Sequence, residues 1–220
     1  MFTSPLATFD ALRKQPRWFS PLLFSALVSA AANLYIVQRI GLVRLIETAS
    51  ESSYIIDPQA VIQNVLAYQD RILFFQAASI FVNVFVIALV TSEVFWLLLT
   101  VMGSDISFKR VLAVVANANM LPIVARGCMV ALTAALIQNA NSLNIQNPLA
   151  TNIAFFLRPS SPAALRLLTS LDAISFINAV LLILGLTRVC PKLSVGAASM
   201  MVFICWSAYV CVTLFVPFSP

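Results

Sequence analysis

A positively charged side chain interrupts a long apolar segment of the sequence. Arg126 lies within residues 111–137, which contain no other charged residue. Asn119 and Thr133 lie seven residues to either side, so the three side chains share one face of a helix. Ionisable groups at membrane depth are costly and mark candidate functional sites. We expect this face to point into a helix bundle, where Arg126 meets an acid or water.

Asp172 is the acidic residue that best matches Arg126 in depth. Ser175 and Asn178 follow it at intervals of three residues and form a second polar stripe. We predict a contact between Arg126 and Asp172 that links the third and fourth apolar segments. Glu93, in the second apolar segment, is expected to lie deeper and to be neutral or bonded to Asn or Thr side chains.

Two functions fit polar groups at this depth. They could line a path for protons, ions or a lipid headgroup, or they could form interhelical hydrogen bonds worth about 0.6–2 kcal/mol each. The second interpretation is favoured, because a proton relay needs several acids or histidines at successive depths and only Glu93 is expected to be deep. Pro122 is predicted to kink the third segment and to free a backbone carbonyl.

The composition excludes most catalytic chemistry. The chain has no histidine, which removes imidazole ligands for zinc or haem and the usual general base. It has 8 acidic residues and 5 glycines, with neither a Walker phosphate loop nor a GxGxxG fingerprint. None of the 4 cysteines forms a CxxC pair, which favours packing roles over a metal site or a disulfide framework. We therefore expect no enzymatic activity, no metal and no cofactor.

The elements that position these groups are membrane-spanning helices. Apolar residues make up 61% of the 220 residues and charged residues only 10%, against about 45–50% and about 25% in soluble domains. Mean hydropathy is +0.96. The sequence predicts an all-α polytopic membrane protein, a single five-helix transmembrane domain over residues 21–220. The predicted spans cover about 21–40, 74–102, 111–137, 173–189 and 193–216.

The basic residues predict the orientation of the bundle, with the N-terminus inside and the C-terminus outside. In this orientation, seven basic residues occupy three short cytoplasmic segments, and five are spread over the outer loops 41–73 and 138–172. Cleavage of the first span as a signal peptide is the competing interpretation, disfavoured because the leader would be long and contain Asp10. The seven are Arg13, Lys14, Arg17, Lys109, Arg110, Arg188 and Lys192, and the five are Arg39, Arg44, Arg71, Arg158 and Arg166.

The N-terminal 1–20 segment is predicted to be cytoplasmic and to contain an amphipathic helix. Ser4 can cap the helix, Pro5 suits its first turn, and Phe9 and Leu12 share its apolar face. Such a helix can lie among lipid headgroups, or it can serve only as a topology anchor, which is the simpler interpretation. In the outer loops we predict a surface helix after residue 58 and a turn at residues 158–162.

The order of several short motifs resembles the bacterial branch of the YIP1 family of membrane proteins. The resemblance covers most of the chain and is weakest over about 40–73. At the N-terminus it is carried by Phe2-Thr3-Ser4-Pro5, Phe9, Pro16-Arg17-Trp18 and Pro21-Leu22-Leu23. In the centre it is carried by Gly103, Ser107-Phe108-Lys109-Arg110, Val114-Val115-Ala116 and Leu121-Pro122. In the last third it is carried by Asn147-Pro148-Leu149-Ala150-Thr151-Asn152, Phe155-Phe156-Leu157, Leu171-Asp172, Leu184-Gly185-Leu186 and Leu193-Ser194.

This resemblance implies a five-span fold, no catalytic activity and a place in the inner membrane of a bacterium. It further implies an accessory or interaction component of a membrane transport or trafficking assembly, since some bacterial relatives are associated with ABC-type exporters. The expected partners are membrane lipids, an ABC-type transporter or other membrane protein, and a second copy of the chain, with no nucleic acid. The alternative function is a small oligomeric transporter or channel for a lipid or amphiphile, with a polar interior around Arg126.

Overall fold

The computed structural model describes residues 4–42, 44, 58–136, 149–157, 159 and 161–215. Within these ranges the chain is all-helical. Residues 158 and 160 of the predicted turn at 158–162, and much of both predicted outer loops, lie outside the described residues. The described helices are α1 (Pro5–Lys14), α2 (Phe19–Ile40), α3 (Pro58–Ala67), α4 (Gln69–Val101), α5 (Phe108–Leu136), α6 (Ile153–Leu157), α7 (Pro162–Ser170), α8 (Ala173–Val189) and α9 (Val195–Phe215).

Four of these helices are long and apolar enough to cross a membrane. They are Phe19–Ile40, Gln69–Val101, Phe108–Leu136 and Val195–Leu214. The fourth predicted span forms α8, which is apolar but has only 17 residues. At 1.5 Å per residue it is about 26 Å long, a little less than a hydrocarbon core of about 30 Å. The helix predicted after residue 58 is present as α3.

The long helices alternate in direction around α5. Near its start α5 reaches the beginning of α2, where Asn117 donates to the Arg17 carbonyl, and near its end Arg39 of α2 donates to the Ala134 carbonyl. These two helices are therefore parallel. The connection after α4 turns back sharply, since the Trp96 indole donates to the Ile106 carbonyl at 3.1 Å, so α4 runs antiparallel to α5. Helix α8 packs on α5, and α9 packs on α8.

Seven basic side chains gather at one end of the bundle, which we call the basic end. Two contacts draw its elements together: Arg188 pairs with Asp10 of α1 at 3.5 Å, and Cys190 Sγ lies 3.2 Å from Ser104 Oγ. The end of α8, the N-terminal helix and the connection between α4 and α5 thus lie side by side. The seven are Arg13, Lys14, Arg17, Lys109, Arg110, Arg188 and Lys192.

Helix α1 is part of the bundle, which neither sequence-based interpretation anticipated. Phe9 and Leu12 are buried, and α1 packs against α8 and α5. Its apolar face therefore covers other helices of the same chain and does not face lipid. The predicted cap is wrong in one detail, because the Ser4 side chain makes no capping hydrogen bond. The Ser4 carbonyl instead accepts from the Thr8 hydroxyl at 3.1 Å.

Gly185 makes the close approach of α1 possible. A Cβ atom at this position would lie 2.5 Å from Val114 Cγ1 and 2.8 Å from Phe9 Cε1. Both neighbours are fully buried, so neither has room to move aside. Glycine at this point of α8 lets α1, α5 and α8 meet.

The Gly185→Ala variant should therefore be destabilised by about 1–3 kcal/mol, although alanine is normally the better helix former. Thermal unfolding of the purified protein in detergent measures the change. Gly196→Ala is the matched control, because a Cβ there meets no atom within 4 Å. Equal midpoints for the two variants would show that the three helices do not pack as closely as described.

Candidate functional site

Asp172 stands at the junction where two short helices lead into α8. It is the N-cap residue of α8, and its Oδ1 accepts from the Ile174 amide at 3.3 Å. The backbone beside it is fixed as well, since the Ala173 amide donates to the Thr151 carbonyl at 3.0 Å. Asn152 pairs with Asp172 in an isolated backbone bridge. One backbone amide thus contacts the carboxylate, and backbone contacts on the other side fix the chain that carries it.

The predicted contact between Arg126 and Asp172 is present. Arg126 Nη2 donates to Asp172 Oδ2, and the Ser175 hydroxyl lies 3.5 Å from the same oxygen. The Asp172 side chain is 2% exposed, whereas that of Arg126 is 54% exposed. The pair is therefore unequal. The carboxylate is enclosed by protein, and the guanidinium reaches it from the surface of the bundle.

The polar stripe on α5 faces the interior only in part, which corrects the sequence-based expectation. Arg126 is exposed, and Asn119 and Thr133 are half-buried. The Thr133 hydroxyl donates to the Met129 carbonyl of its own helix. Of the three side chains, only Arg126 forms a described hydrogen bond to another element. The regular spacing correctly predicted that the three side chains share one face of α5. It could not predict which residues of other helices contact that face.

Within the described part of the chain, two buried amide oxygens inside the bundle form no hydrogen bond. They are Oδ1 of Asn178 on α8 and Oδ1 of Asn33 on α2. Asn178 lies six residues after Asp172, about 9 Å along the helix. The sequence analysis included Asn178 but missed Asn33, although the signal was the same: an amide within an apolar run. Buried acceptors of this kind are suited to bind a water molecule or a hydroxyl group.

Glu93 does not belong to the cluster around Arg126. It is exposed on α4, and no hydrogen bond or ion pair joins it to any described residue. It lies one turn before Trp96, whose ring is 6.2 Å from that of Phe108 at the start of α5. Glu93 is thus close to the basic end and on the outer face of the bundle. The expected bonds from Glu93 to Asn or Thr side chains are absent among the described residues, and its exposed side chain is not part of the polar interior.

Pro122 is buried within α5, and the helix continues through it. Because proline has no amide hydrogen, the Ala118 carbonyl one turn earlier lacks its usual helical donor. The kink at this position stays a prediction. Among the residues that the structure describes, no three His, Cys, Asp or Glu side chains lie close enough to hold a metal ion.

No protein-family model, curated protein or solved structure matches the chain. The resemblance to the YIP1 family therefore stays a prediction. The class that the fold supports directly is an all-helical protein with four helices able to cross a membrane.

The unequal burial of Arg126 and Asp172 predicts unequal mutants. Arg126→Leu leaves a buried carboxylate without its cation and should cost about 1–3 kcal/mol. Asp172→Asn keeps a good helix cap, leaves behind a half-exposed cation and should cost less. The double variant should lose less unfolding free energy than the two single variants lose together, and the difference should be about 0.5–3 kcal/mol.

Unfolding of the purified variants in a denaturing detergent series measures these differences. Arg110→Leu is the control, because this exposed residue lies at the other end of α5. Combined with Asp172→Asn it should be additive within about 0.5 kcal/mol. Additivity for Arg126→Leu as well would show that the ion pair does not contribute to folding.

Proposed function

We propose that this chain is a non-enzymatic, multi-pass protein of the bacterial inner membrane, of YIP1 type. It would cross the bilayer five times, with the N-terminus inside and the C-terminus outside. The alternating helix directions and the gathering of seven basic residues at one end support this topology. Helix α8 is short for a span, but α7 and Asp172 continue the chain beyond its outer end.

We propose further that the chain is an accessory subunit that docks on a transmembrane helix of a partner protein, such as an ABC-type exporter. The observation that carries this proposal is the outer face of α4. Seven of its exposed residues form one row with the spacing of a heptad repeat, at alternating intervals of four and three residues. We call this set the α4 stripe: Ser79, Asn83, Val86, Val90, Glu93, Leu97 and Thr100, all of them exposed.

A heptad repeat on an exposed helix is the pattern by which two helices pack along their length. In this bundle α4 has described neighbours only on its inner side, chiefly α2 and α5. The α4 stripe is thus free to receive another helix. Four of its seven residues are polar, which is unfavourable for a face that meets only lipid tails.

The charge of the α4 stripe indicates the chemistry of the partner helix. Glu93 is joined to no described residue by a hydrogen bond or ion pair, and Asn83 offers both a donor and an acceptor. A partner helix with a basic side chain level with Glu93 and an amide or hydroxyl level with Asn83 would satisfy both. A second copy of this chain would bring two Glu93 side chains together and is disfavoured by their repulsion.

A second candidate function is a small transporter for a lipid or amphiphile. The buried oxygens of Asn33 and Asn178 favour it, since they form no hydrogen bond to any described residue and could bind a polar cargo. In that case Asn33→Leu and Asn178→Leu would abolish transport and leave partner binding unchanged. Loss of partner binding through the α4 stripe, without any effect of the two asparagines, favours the accessory role.

The proposed topology is tested with single cysteines in a variant that lacks the four native ones. Ser107 and Ala150 are exposed and lie at opposite ends of the bundle. A membrane-impermeant maleimide should label Ala150→Cys in intact cells, and Ser107→Cys only after the inner membrane is permeabilised. Labelling of both positions from the same side would be incompatible with this topology.

Docking through the α4 stripe is tested by co-purification from native membranes. Asn83→Leu and Glu93→Gln should each lower the yield of the partner about tenfold, as expected for a loss of about 1.4 kcal/mol. Glu93→Asp should retain most of it, because the charge remains. Ile204→Ala is the control, since this exposed residue lies on α9, away from the stripe.

Two results would contradict the proposal. One is an unchanged yield of partner with all stripe variants. The other is a cross-linked product of twice the mass of this chain that forms through Glu93, which would make a second copy the occupant.

A further inference from the structure

A cavity of about 650 Å³ lies at the basic end, between α1 and the start of α2. This volume is in the range of about 300–1,000 Å³ that is typical of small-molecule sites. One wall is the face of α1 that carries Thr8 and Lys14, another is Arg17 and Ser20, and Asn117 of α5 lies at the base. None of the residues around Arg126 lines this cavity, and the α4 stripe has no part in it.

The electrostatics of the cavity favour an anion. Lys14 and Arg17 both line it, and neither has a carboxylate partner among the described residues. The Arg17 guanidinium donates to Gln15 Oε1 at 3.1 Å, a neutral acceptor that leaves its charge uncompensated. Asp10, on the same helix as Lys14, pairs with Arg188. Two cations beside one cavity are suited to bind a phosphate group.

The side chain at the base of the cavity can accept a hydrogen bond from a ligand. Asn117 is 7% exposed, and its amide nitrogen donates to the Arg17 carbonyl at 3.0 Å and to the Ala113 carbonyl at 2.8 Å. Both of its amide hydrogens are thus engaged, which leaves only Oδ1 for a ligand. The Ser20 hydroxyl, on the opposite wall, can accept or donate. A ligand that carries hydroxyl groups beside its phosphate fits these groups.

Apolar surface completes the cavity. Leu12 and Pro21 line it next to the polar groups, and both are buried. Beyond Pro21, helix α2 exposes the large apolar side chains Phe24 and Leu27. An acyl chain attached to the phosphate could therefore follow α2 into the bilayer.

We infer that this cavity binds a polyol phosphate ester, as presented by the headgroup of an anionic phospholipid such as phosphatidylglycerol. The phosphate lies between Lys14 and Arg17, and a headgroup hydroxyl donates to Asn117 Oδ1. The same chemistry is found in soluble glycerol 3-phosphate, so the lipid and the free ester are separate arms of the test. The inference does not depend on the docking role of α4.

The test uses the full-length protein in detergent micelles and native mass spectrometry to count bound molecules. Phosphatidylglycerol should bind with a stoichiometry of one, and phosphatidylcholine, which has no headgroup hydroxyl and no net charge, should bind at least tenfold more weakly. Lys14→Gln with Arg17→Gln should lower the affinity for phosphatidylglycerol at least tenfold. Arg13→Gln with Lys109→Gln is the matched control, because it removes the same charge at the same end from residues outside the cavity.

Each outcome decides the inference. A selective loss in the Lys14 and Arg17 variant supports it, and displacement by millimolar glycerol 3-phosphate identifies the free ester as the ligand instead of the lipid. Equal losses in the two double variants would overturn it, since this is the behaviour of general charge attraction.

Ser20→Ala keeps both cations, and a decrease in its preference for phosphatidylglycerol over phosphatidic acid is the expected sign of hydroxyl recognition. Unchanged unfolding temperatures establish that the variants fold.

Discussion

Eight consecutive residues of α5, at positions 111–118, are buried on every side of the helix. A helix that is buried all round must have neighbours in all directions, and α1, α2, α4 and α8 supply them. This constraint explains why α1 enters the bundle. Helix α2 begins level with residue 117 of α5, so α2 does not cover the part of α5 that lies nearer the basic end. Without α1, this part of α5 would be exposed. Phe9 and Leu12 fill that space.

The same packing determines where the charged side chains lie. Because apolar side chains occupy the interior at the basic end, the cations of α1 and of the start of α5 remain exposed at its rim. Farther along α5, Arg126 pairs with Asp172, the N-cap residue of α8. Polar contacts between helices of membrane proteins contribute modest energy each, and this ion pair joins α5 to the start of α8. The acid in that pair is buried and accepts one backbone hydrogen bond, from the Ile174 amide.

The outer surface divides into two kinds. Helix α9 exposes large apolar side chains such as Met200, Phe203 and Ile204, as expected of a face that meets lipid. Helix α4 also exposes large apolar side chains such as Val82, Leu89 and Val94, but it carries exposed polar residues among them. Both helices lie at the edges of the bundle, α9 against α8 and α4 against α2 and α5. The contrast between these two edges is the reason for assigning a partner to α4 and lipid to α9.

The sequence by itself determined the all-helical class, the approximate bounds of the apolar helices and the pairing of Arg126 with Asp172. These depend on local quantities: the length of apolar runs, the spacing of polar residues and depth counted from the chain ends. Only the tertiary structure decided that α1 packs against Gly185 and Val114, that Glu93 lies on the outside and that Asn33 faces the interior. These features depend on the rotation and register of each helix against its neighbours. Each long helix of this chain carries apolar residues on all of its faces, so the hydrophobic periodicity is too weak to specify how the helix is rotated. Contacts between segments distant in sequence set those rotations.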